Sequence, residues 1–497
     1  MITDHNATLP GGFLHTADQA AVRVDGQELR VVRYRQFDVP LYFVHASLPE
    51  GTHEVEVSIR RHKTQVAVHP KRLGLEVDPG GRKQPVRFTI RGNPHLAVEC
   101  DGLGYLFLSF DPAQQPPTGD TVLDAAAYGL ESNADAIQTK TLQTAIDRVS
   151  ASDKLDILLI PAGLYRVGDL HLKSNCRLHL ASGAVLKASD KAADFKELNT
   201  RGSDGTRHCL INGRDAENVA LTGHGHVDGN RAVLDLDRYF NGMVKLDRCR
   251  NVTFDGIVLS DSCGWNTHFY ACTDVLAHRV KILNNRPLVN CINTDGINPN
   301  ACRNVRIENC LMHTGDDAVA VKSCTWRRDM HPGHEQMLQD VSNITVSDLL
   351  AVNNSTTVKI GTETDAAIME NITFERIDAV RTGRLCGIDA FDKSLVRNVR
   401  FEDCHVHHLD DAMMDRRLID LNVPAKAFRK IIGKSRVENV TLRNISSDEP
   451  ARVALAGRDA DCMVENAVFE NITINGNPLE ESTIEKNEFV QSTKFRS

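Results

Sequence analysis

An asparagine leading an alternating apolar run returns eight times between residues 218 and 469. The units are Asn218-Val219-Ala220-Leu221, Asn251-Val252-Thr253-Phe254, Asn304-Val305-Arg306-Ile307, Asn343-Ile344-Thr345-Val346, Asn371-Ile372-Thr373-Phe374, Asn398-Val399-Arg400-Phe401, Asn439-Val440-Thr441-Leu442 and Asn466-Ala467-Val468-Phe469, with Asp274-Val275 as a weaker member. Their spacing runs from 23 to 41 residues, the period of solenoids, in which each unit buries its apolar face only against its neighbours. The units are short strands with no helical pattern between them, which argues for a parallel β-helix. Leucine-rich repeats are the rival, but their leucine spacing is absent. Asparagines at one turn of successive coils can stack and hydrogen-bond along the axis. The longer spacings mark inserted loops, which usually build a binding face.

The chain upstream has a different pattern. Ala21–Val24, Leu29–Tyr34, His53–Ile59, Gln65–His69, Val86–Ile90 and Tyr105–Ser109 read as short strands. His53 to Ile59 alternates polar and apolar, the mark of a half-buried strand. Many short strands split by Pro and Gly turns suggest an antiparallel β-sandwich. Pro112-Ala113-Gln114-Gln115-Pro116-Pro117 is a linker by composition. The expected organisation is therefore a sandwich over 1–111, a linker over 112–121 and an all-β parallel β-helix over 122–497. Leu142, Ala145, Ile146 and Val149 have helical spacing, and this one helix is placed to cap the open first coil.

Net charge is −8 at neutral pH, and no basic run suggests nucleic acid or an anionic membrane surface. Residues 1–10 lack the charged and apolar regions of a secretory signal, and no apolar run approaches the ~20 residues of a membrane span. The 13 cysteines are odd in number and scattered, as expected of reduced thiols in a core. These features predict a cytoplasmic protein. With no CxxC pair, no structural zinc site is expected. His405-Val406-His407-His408-Leu409-Asp410-Asp411 invites a metal reading, but it is expected to be a polar surface loop, so no metal and no cofactor are predicted.

The chemistry gathers in Asn293-Thr294-Asp295-Gly296 and Thr314-Gly315-Asp316-Asp317, about one repeat apart. On a β-helix the first cluster would lie on one coil and the second on the next, roughly 4.8 Å away. Carboxylates so close repel, and one should hold its proton unusually tightly. A proton-holding acid beside an ionised base is the equipment of glycoside hydrolysis.

The segment Ser260–Ser323 resembles the polygalacturonase family, glycoside hydrolase family 28, and its clan. The resemblance rests on Asp261-Ser262-Cys263-Gly264-Trp265-Asn266-Thr267-His268, on Asn293 to Gly296, and on Gly315-Asp316-Asp317-Ala318-Val319-Ala320-Val321-Lys322-Ser323. It implies a right-handed parallel β-helix and an inverting hydrolase. It further implies that Asp316 is the general acid and that Asp295 and Asp317 activate water. Two departures bear on the substrate. Thr356 stands where the family has the His of its Gly-His-Gly, and no Arg or Lys stands near Gly387-Ile388-Asp389-Ala390, where the family's Arg-Ile-Lys grips a uronate. An Asp there would repel galacturonate. A sandwich ahead of a β-helix also resembles the dextranase and isopullulanase family of the same clan. The expected substrate is thus an oligo- or polysaccharide that is neutral and not polygalacturonate.

Around the acids, Lys322 either contacts substrate or neutralises the carboxylates, and Lys359 and Glu363 should line the groove on the next coil. Asn293 belongs to the first acid motif. Trp265 can stack on a pyranose or fill the core, and His268 follows it on the same strand. Trp326 opens a long insertion that should overhang the groove. Asp389, with Asp392, lies near the missing basic pair. Inversion by this set asks for acid and base roughly 6.5–9.5 Å apart. The competing readings are another carbohydrate enzyme on the same scaffold (a fructotransferase, epimerase or lyase) and a non-catalytic carbohydrate-binding β-helix. A lyase would want a basic residue and a uronate; binding alone needs no repelling acid cluster. The sequence leaves the oligomeric state open.

Overall fold

The computed structural model describes residues 1–34, 40–60, 65–81, 84–101, 103–133, 135–195, 208–231, 240–262, 264–284, 293–324, 338–411, 414–424 and 433–496. The first 112 residues form two sheets, one of seven strands and one of four, packed over a shared apolar core that includes Val22, Val57, Phe88, Val98 and Leu108. Pairing is antiparallel except for one central pair, Leu41–Leu48 beside Gly104–Pro112, which runs parallel. Leu41–Leu48 is also a strand that alternation does not reveal, because all eight residues are buried. Tyr42 and Val44 face the sandwich core, while Leu41 and Phe43 face the coils. A strand covered on both faces has no polar side to alternate with.

From Val122 the chain winds into parallel coils, with one wall an 11-stranded sheet and the rest of the circumference one continuous sheet of 21 strands. The helix Thr139–Ser150 buries Leu142, Ala145, Ile146 and Val149 into the same core as the first coils. Inside, side chains of one type sit above one another; Phe374 and Phe401 stack with centroids 4.9 Å apart. The eleven cysteines among the described residues are all buried and in no disulfide.

The asparagine units mark one corner of every coil. Asn218, Asn251, Asn304, Asn343, Asn371, Asn398, Asn439 and Asn466 all hold φ between 52° and 57°. Asn is among the few residues that occupy this left-handed region at little cost. Each Nδ2 from Asn251 onward donates to the side-chain oxygen one coil back at 2.7–3.4 Å, Asp274 serving as the acceptor for Asn304.

One correction concerns His405 to Leu409. The strand Leu395–Leu409 continues through them. The backbone bends at Asp403, φ +54°, and pairing resumes at once, with Cys404 opposite Ile445 and His405 opposite Ser446. The three histidines therefore sit on a strand.

The sandwich lies against the coils. Leu41, Phe43, Tyr105 and Phe107 meet a stripe with one apolar residue per coil, including Val185, Val258, Leu283, Leu311 and Leu350. A buried ion pair is set into this contact. Lys281 Nζ lies 2.5 Å from Asp111 Oδ2, both side chains fully inaccessible, and Asp111 also receives His45 Nε2 at 2.8 Å. Burial pulls the Lys281 ammonium below its usual range and would lift Asp111, but the Lys281 charge and the His224 and His45 contacts hold that carboxylate well below its usual range. Removing one partner strands a buried charge. Asp111→Ala should lower the unfolding free energy by about 3–5 kcal/mol, and adding Lys281→Met should restore most of it. Urea unfolding of the three proteins checks this; equal stability of the single and double variants would show that the stranded ammonium carries no cost.

Candidate active site

Parallel stacking brings the two acid motifs together. Asp295 precedes the strand Ile297–Asn300, and Asp316 and Asp317 precede Val319–Ser323; these strands are neighbours, with Ile297 opposite Val319. The turns interlock through Gly296 N–H to Asp317 O, 2.9 Å, and Gly315 N–H to Thr294 Oγ1, 3.0 Å. Gly296 has no room for a side chain, since a Cβ there would lie 2.4 Å from Ala318 O. One oxygen of each of Asp295, Asp316 and Asp317 lies within 4.8 Å of the other two. The three carboxylates thus share one patch, as the spacing predicted. Measured between these oxygens, they are closer than the roughly 6.5–9.5 Å expected of acid and base for inversion.

The three acids have different surroundings. Asp317 is buried at 2% exposure and accepts the Lys359 ammonium at 2.6 Å and the Thr356 amide at 3.0 Å. Burial would lift it, but Lys359 and Lys322 reverse the effect and hold it below the usual carboxylate range. Asp295, equally buried, has Lys322 Nζ 3.4 Å away. Asp316 has no ion-pair partner among the described residues. Burial, then the charges of Asp295 and Asp317, push it up to about 7, against a weaker pull from Lys359 and the Asn293 amide. One carboxyl with raised proton affinity thus stands beside two carboxylates that face lysines.

The other candidates divide between direct and indirect places. Asn293 acts through its main chain, its N–H donating to Asp316 Oδ2 at 2.7 Å. Lys322 bridges Asp295 and Glu363, the latter at 3.2 Å, so Glu363 is the counter-ion of that lysine. Trp265 is 4% exposed, with the Lys322 ammonium 4.6 Å from its ring centroid and the His268 ring edge-on at 5.0 Å. Of the two places read for Trp265, on a sugar face or in the core, its burial under Lys322 corresponds to the second. His268 Nε2 is tied to Asn300 Nδ2 at 3.1 Å. Asp392 is buried and accepts the Thr364 amide at 2.8 Å, a turn carboxylate. Trp326 lies outside the described residues.

Asp389 needs the largest correction. It was expected to present bare negative charge where no basic residue stands, yet the Arg384 guanidinium clasps both its oxygens, at 3.0 and 2.5 Å. Arg384 also reaches Asp420 Oδ2 at 2.8 Å and Thr356 Oγ1 at 2.9 Å. It lies flat over Gly387, where a Cβ would come within 2.8 Å of it. Sequence reasoning missed Arg384 by looking only at Gly387 to Ala390, where the family motif would fall. Register would have found it, since Arg384 is opposite Thr356 one coil on. Asn298 was also missed. With Ile297 in the core, Asn298 faces outward beside His268, and both ends of its buried amide lack a hydrogen-bond partner.

A pH dependence follows from Asp316. The native carboxyl keeps its proton to about 7, well above its ordinary 3.8, so the folded state binds more protons than the unfolded one in that window and loses stability as pH rises through it. Asp316→Asn, which removes the titration, should raise the melting temperature more at pH 7 and above than at pH 4. Melting curves across that range check the sign; a variant that gains most at acid pH would contradict it.

The chain is similar to known proteins over its coil region. Residues 151–389 match the family model for glycosyl hydrolases family 28. A probable polygalacturonase of Vitis vinifera is 32% identical over 215 residues, 39% of this chain and 43% of the relative, so the match spans less than half of that protein's length. Among solved structures, a family 28 exopolygalacturonase of Yersinia enterocolitica superposes with a TM-score of 0.56 at 17% identity, covering 90% of this chain and 94% of the other. Dex49A from Penicillium minioluteum gives a TM-score of 0.62 at 12% identity over 98% of this chain and 96% of its own. At such identities the superpositions establish the fold, a right-handed parallel β-helix. The stretch matched by the family 28 model includes the coils that carry Asp295, Asp316 and Asp317.

Proposed function

We propose that this chain is an inverting glycoside hydrolase whose acid is Asp316 and whose base is the pair Asp295 and Asp317. The observation that carries the proposal is the split among three adjacent carboxylates: Asp316 raised to about 7, Asp317 and Asp295 each beside a lysine. In this reading Asp316 protonates the glycosidic oxygen as the bond to the anomeric carbon breaks. Asp295 and Asp317 take the proton from a water attacking the opposite face. Lys359 and Lys322 hold Asp317 ionised next to a group that must not be, and Lys322 also lies beside Asp295. Inversion is drawn from the family, because a separation within 4.8 Å does not itself favour it; spacing near 5–5.5 Å is the mark of retaining enzymes.

The substrate we propose is an uncharged oligo- or polysaccharide. Lys322, Lys359 and Arg384 each already neutralise carboxylates of the site, namely Asp295 and Glu363, Asp317, and Asp389 with Asp420. A uronate would have to compete with those partners. The Asn298 amide suits a sugar hydroxyl, having both a donor and an acceptor to offer. Polygalacturonate is the second reading, favoured by the name of the Vitis vinifera relative. The eleven cysteines of the described residues are buried and outside any disulfide, which fits a reducing compartment, and we place the enzyme in the cytoplasm on that ground.

Reducing-sugar release from dextran, pullulan, inulin, rhamnogalacturonan, polygalacturonate and their oligomers separates these readings. Hydrolysis of a neutral member is expected, and cleavage of polygalacturonate alone would replace the first substrate reading with the second. Asp316→Asn should lower turnover by about 10²–10⁴-fold while leaving sugar binding in place. Proton NMR of the nascent product should show the anomer opposite to the substrate linkage; the same anomer would mean that a carboxylate acts as nucleophile.

A further inference from the structure

We propose that His405, His407 and Asp448 bind one zinc ion on the outer face of the coils, beneath the sandwich. His405 and His407 alternate about Val406, which points into the core, so both imidazoles leave the strand on its outer side. Asp448 lies one coil further on, its N–H donating to Val406 O at 3.0 Å. Strand alternation and coil stacking therefore deliver two imidazoles and a carboxylate to one point, independently of the acid cluster.

The ligand atoms form a triangle. His405 Nε2 is 3.2 Å from His407 Nδ1, His407 Nδ1 is 2.8 Å from Asp448 Oδ2, and His405 Nε2 is 3.4 Å from Asp448 Oδ1. A tetrahedral zinc with bonds of about 2.0–2.1 Å holds its ligand atoms about 3.3 Å apart. Hydrogen bonding satisfies the triangle poorly. Its three sides need three protons, and two neutral imidazoles bring at most two, since each has one N–H. His405 Nδ1 lies 2.7 Å from Ser446 Oγ, and an N–H there leaves only one. His407 is 2% exposed and its Nε2 has no hydrogen-bond partner, so its polar contacts all lie within the triangle. A cation at the centre uses the three inward lone pairs at once, and the Ser446 contact then fixes the His405 tautomer, as an outer hydrogen bond does for zinc-bound imidazole. Two imidazoles and a carboxylate suit zinc, with water completing the shell.

The sandwich supplies the roof. The His69 ring lies 4.0 Å from that of His407, and Lys71 Nζ reaches Asp448 Oδ2 at 2.7 Å. The lysine side chain is 56% exposed, so it is free to swing away as the ion enters, and it competes with the ion for the carboxylate. The other histidine cluster, His5, His45 and His224, meets the buried Lys281–Asp111 pair, whose ammonium opposes a second cation there.

The test uses the full chain, stripped with a chelator and titrated with zinc chloride alone by calorimetry, with bound metal counted by mass spectrometry. About one zinc per chain is expected, with affinity at least ~10-fold weaker in His405→Gln and in Asp448→Asn and undiminished or tighter in Lys71→Ala. His405→Gln is preferred to a change at buried His407 because it keeps the volume at a half-buried position, and unchanged circular dichroism verifies the fold. Cobalt(II) in place of zinc should give the visible bands of four-coordinate cobalt in the wild type and lose them in both variants. Equal zinc content and affinity in wild type and His405→Gln, or a cobalt spectrum that the variants share, would overturn the site.

Discussion

Coil-on-coil register is the constraint on which the rest of this molecule depends. Parallel strands repeat at roughly 4.8 Å, and whatever one coil presents at a given position is held against the same position of the next. In the core this stacks like on like, as with Phe374 and Phe401. At the corner it lines up asparagines whose left-handed backbone and side-chain ladder serve one another. On the outer wall it forces carboxylates into contact, Asp295 with Asp316 and Asp317.

Such forced proximity has to be offset, and the structure does so with buried cations drawn from the same and following coils. Lys322, Lys359 and Arg384 come from three consecutive strands of one wall. Each is nearly inaccessible and each holds carboxylates. Among the described residues Asp316 has no ion-pair partner, and burial, then the charges of Asp295 and Asp317, raise its proton affinity. The chemistry of the site thus comes from an uneven distribution of counter-charge over a regular scaffold.

The sandwich follows the same register from outside. Its inner sheet meets one apolar residue from each of several coils, which explains why its central strand is covered on both faces. Ion pairs cross or lie in that contact: Lys281 with Asp111, and His408 with Glu99 of the sandwich at 3.1 Å. With Glu99 and then Glu449 as its neighbours, the His408 imidazole is raised to about 9. The contact is therefore an ionic as well as an apolar one, and it runs close to the turn of Asp316, since His313 packs against Tyr105 and Phe107.

The repeat units, the capping helix and the meeting of the two acid motifs were legible in the order of residues, because a period of one coil and an alternation of two are written directly in the chain. The strand Leu41–Leu48 was not, since burial on both faces erases alternation, nor was the strand character of His405 to Leu409, where Asp403 bends the backbone without ending the pairing. The site divides in the same way. Which carboxylates share a patch follows from spacing. Which of them is protonated, that Lys322 lies over Trp265, and that Arg384 answers Asp389 depend on side chains from different coils meeting in a buried space. Those contacts are decided only when the tertiary fold removes water and makes the nearest charge the dominant one.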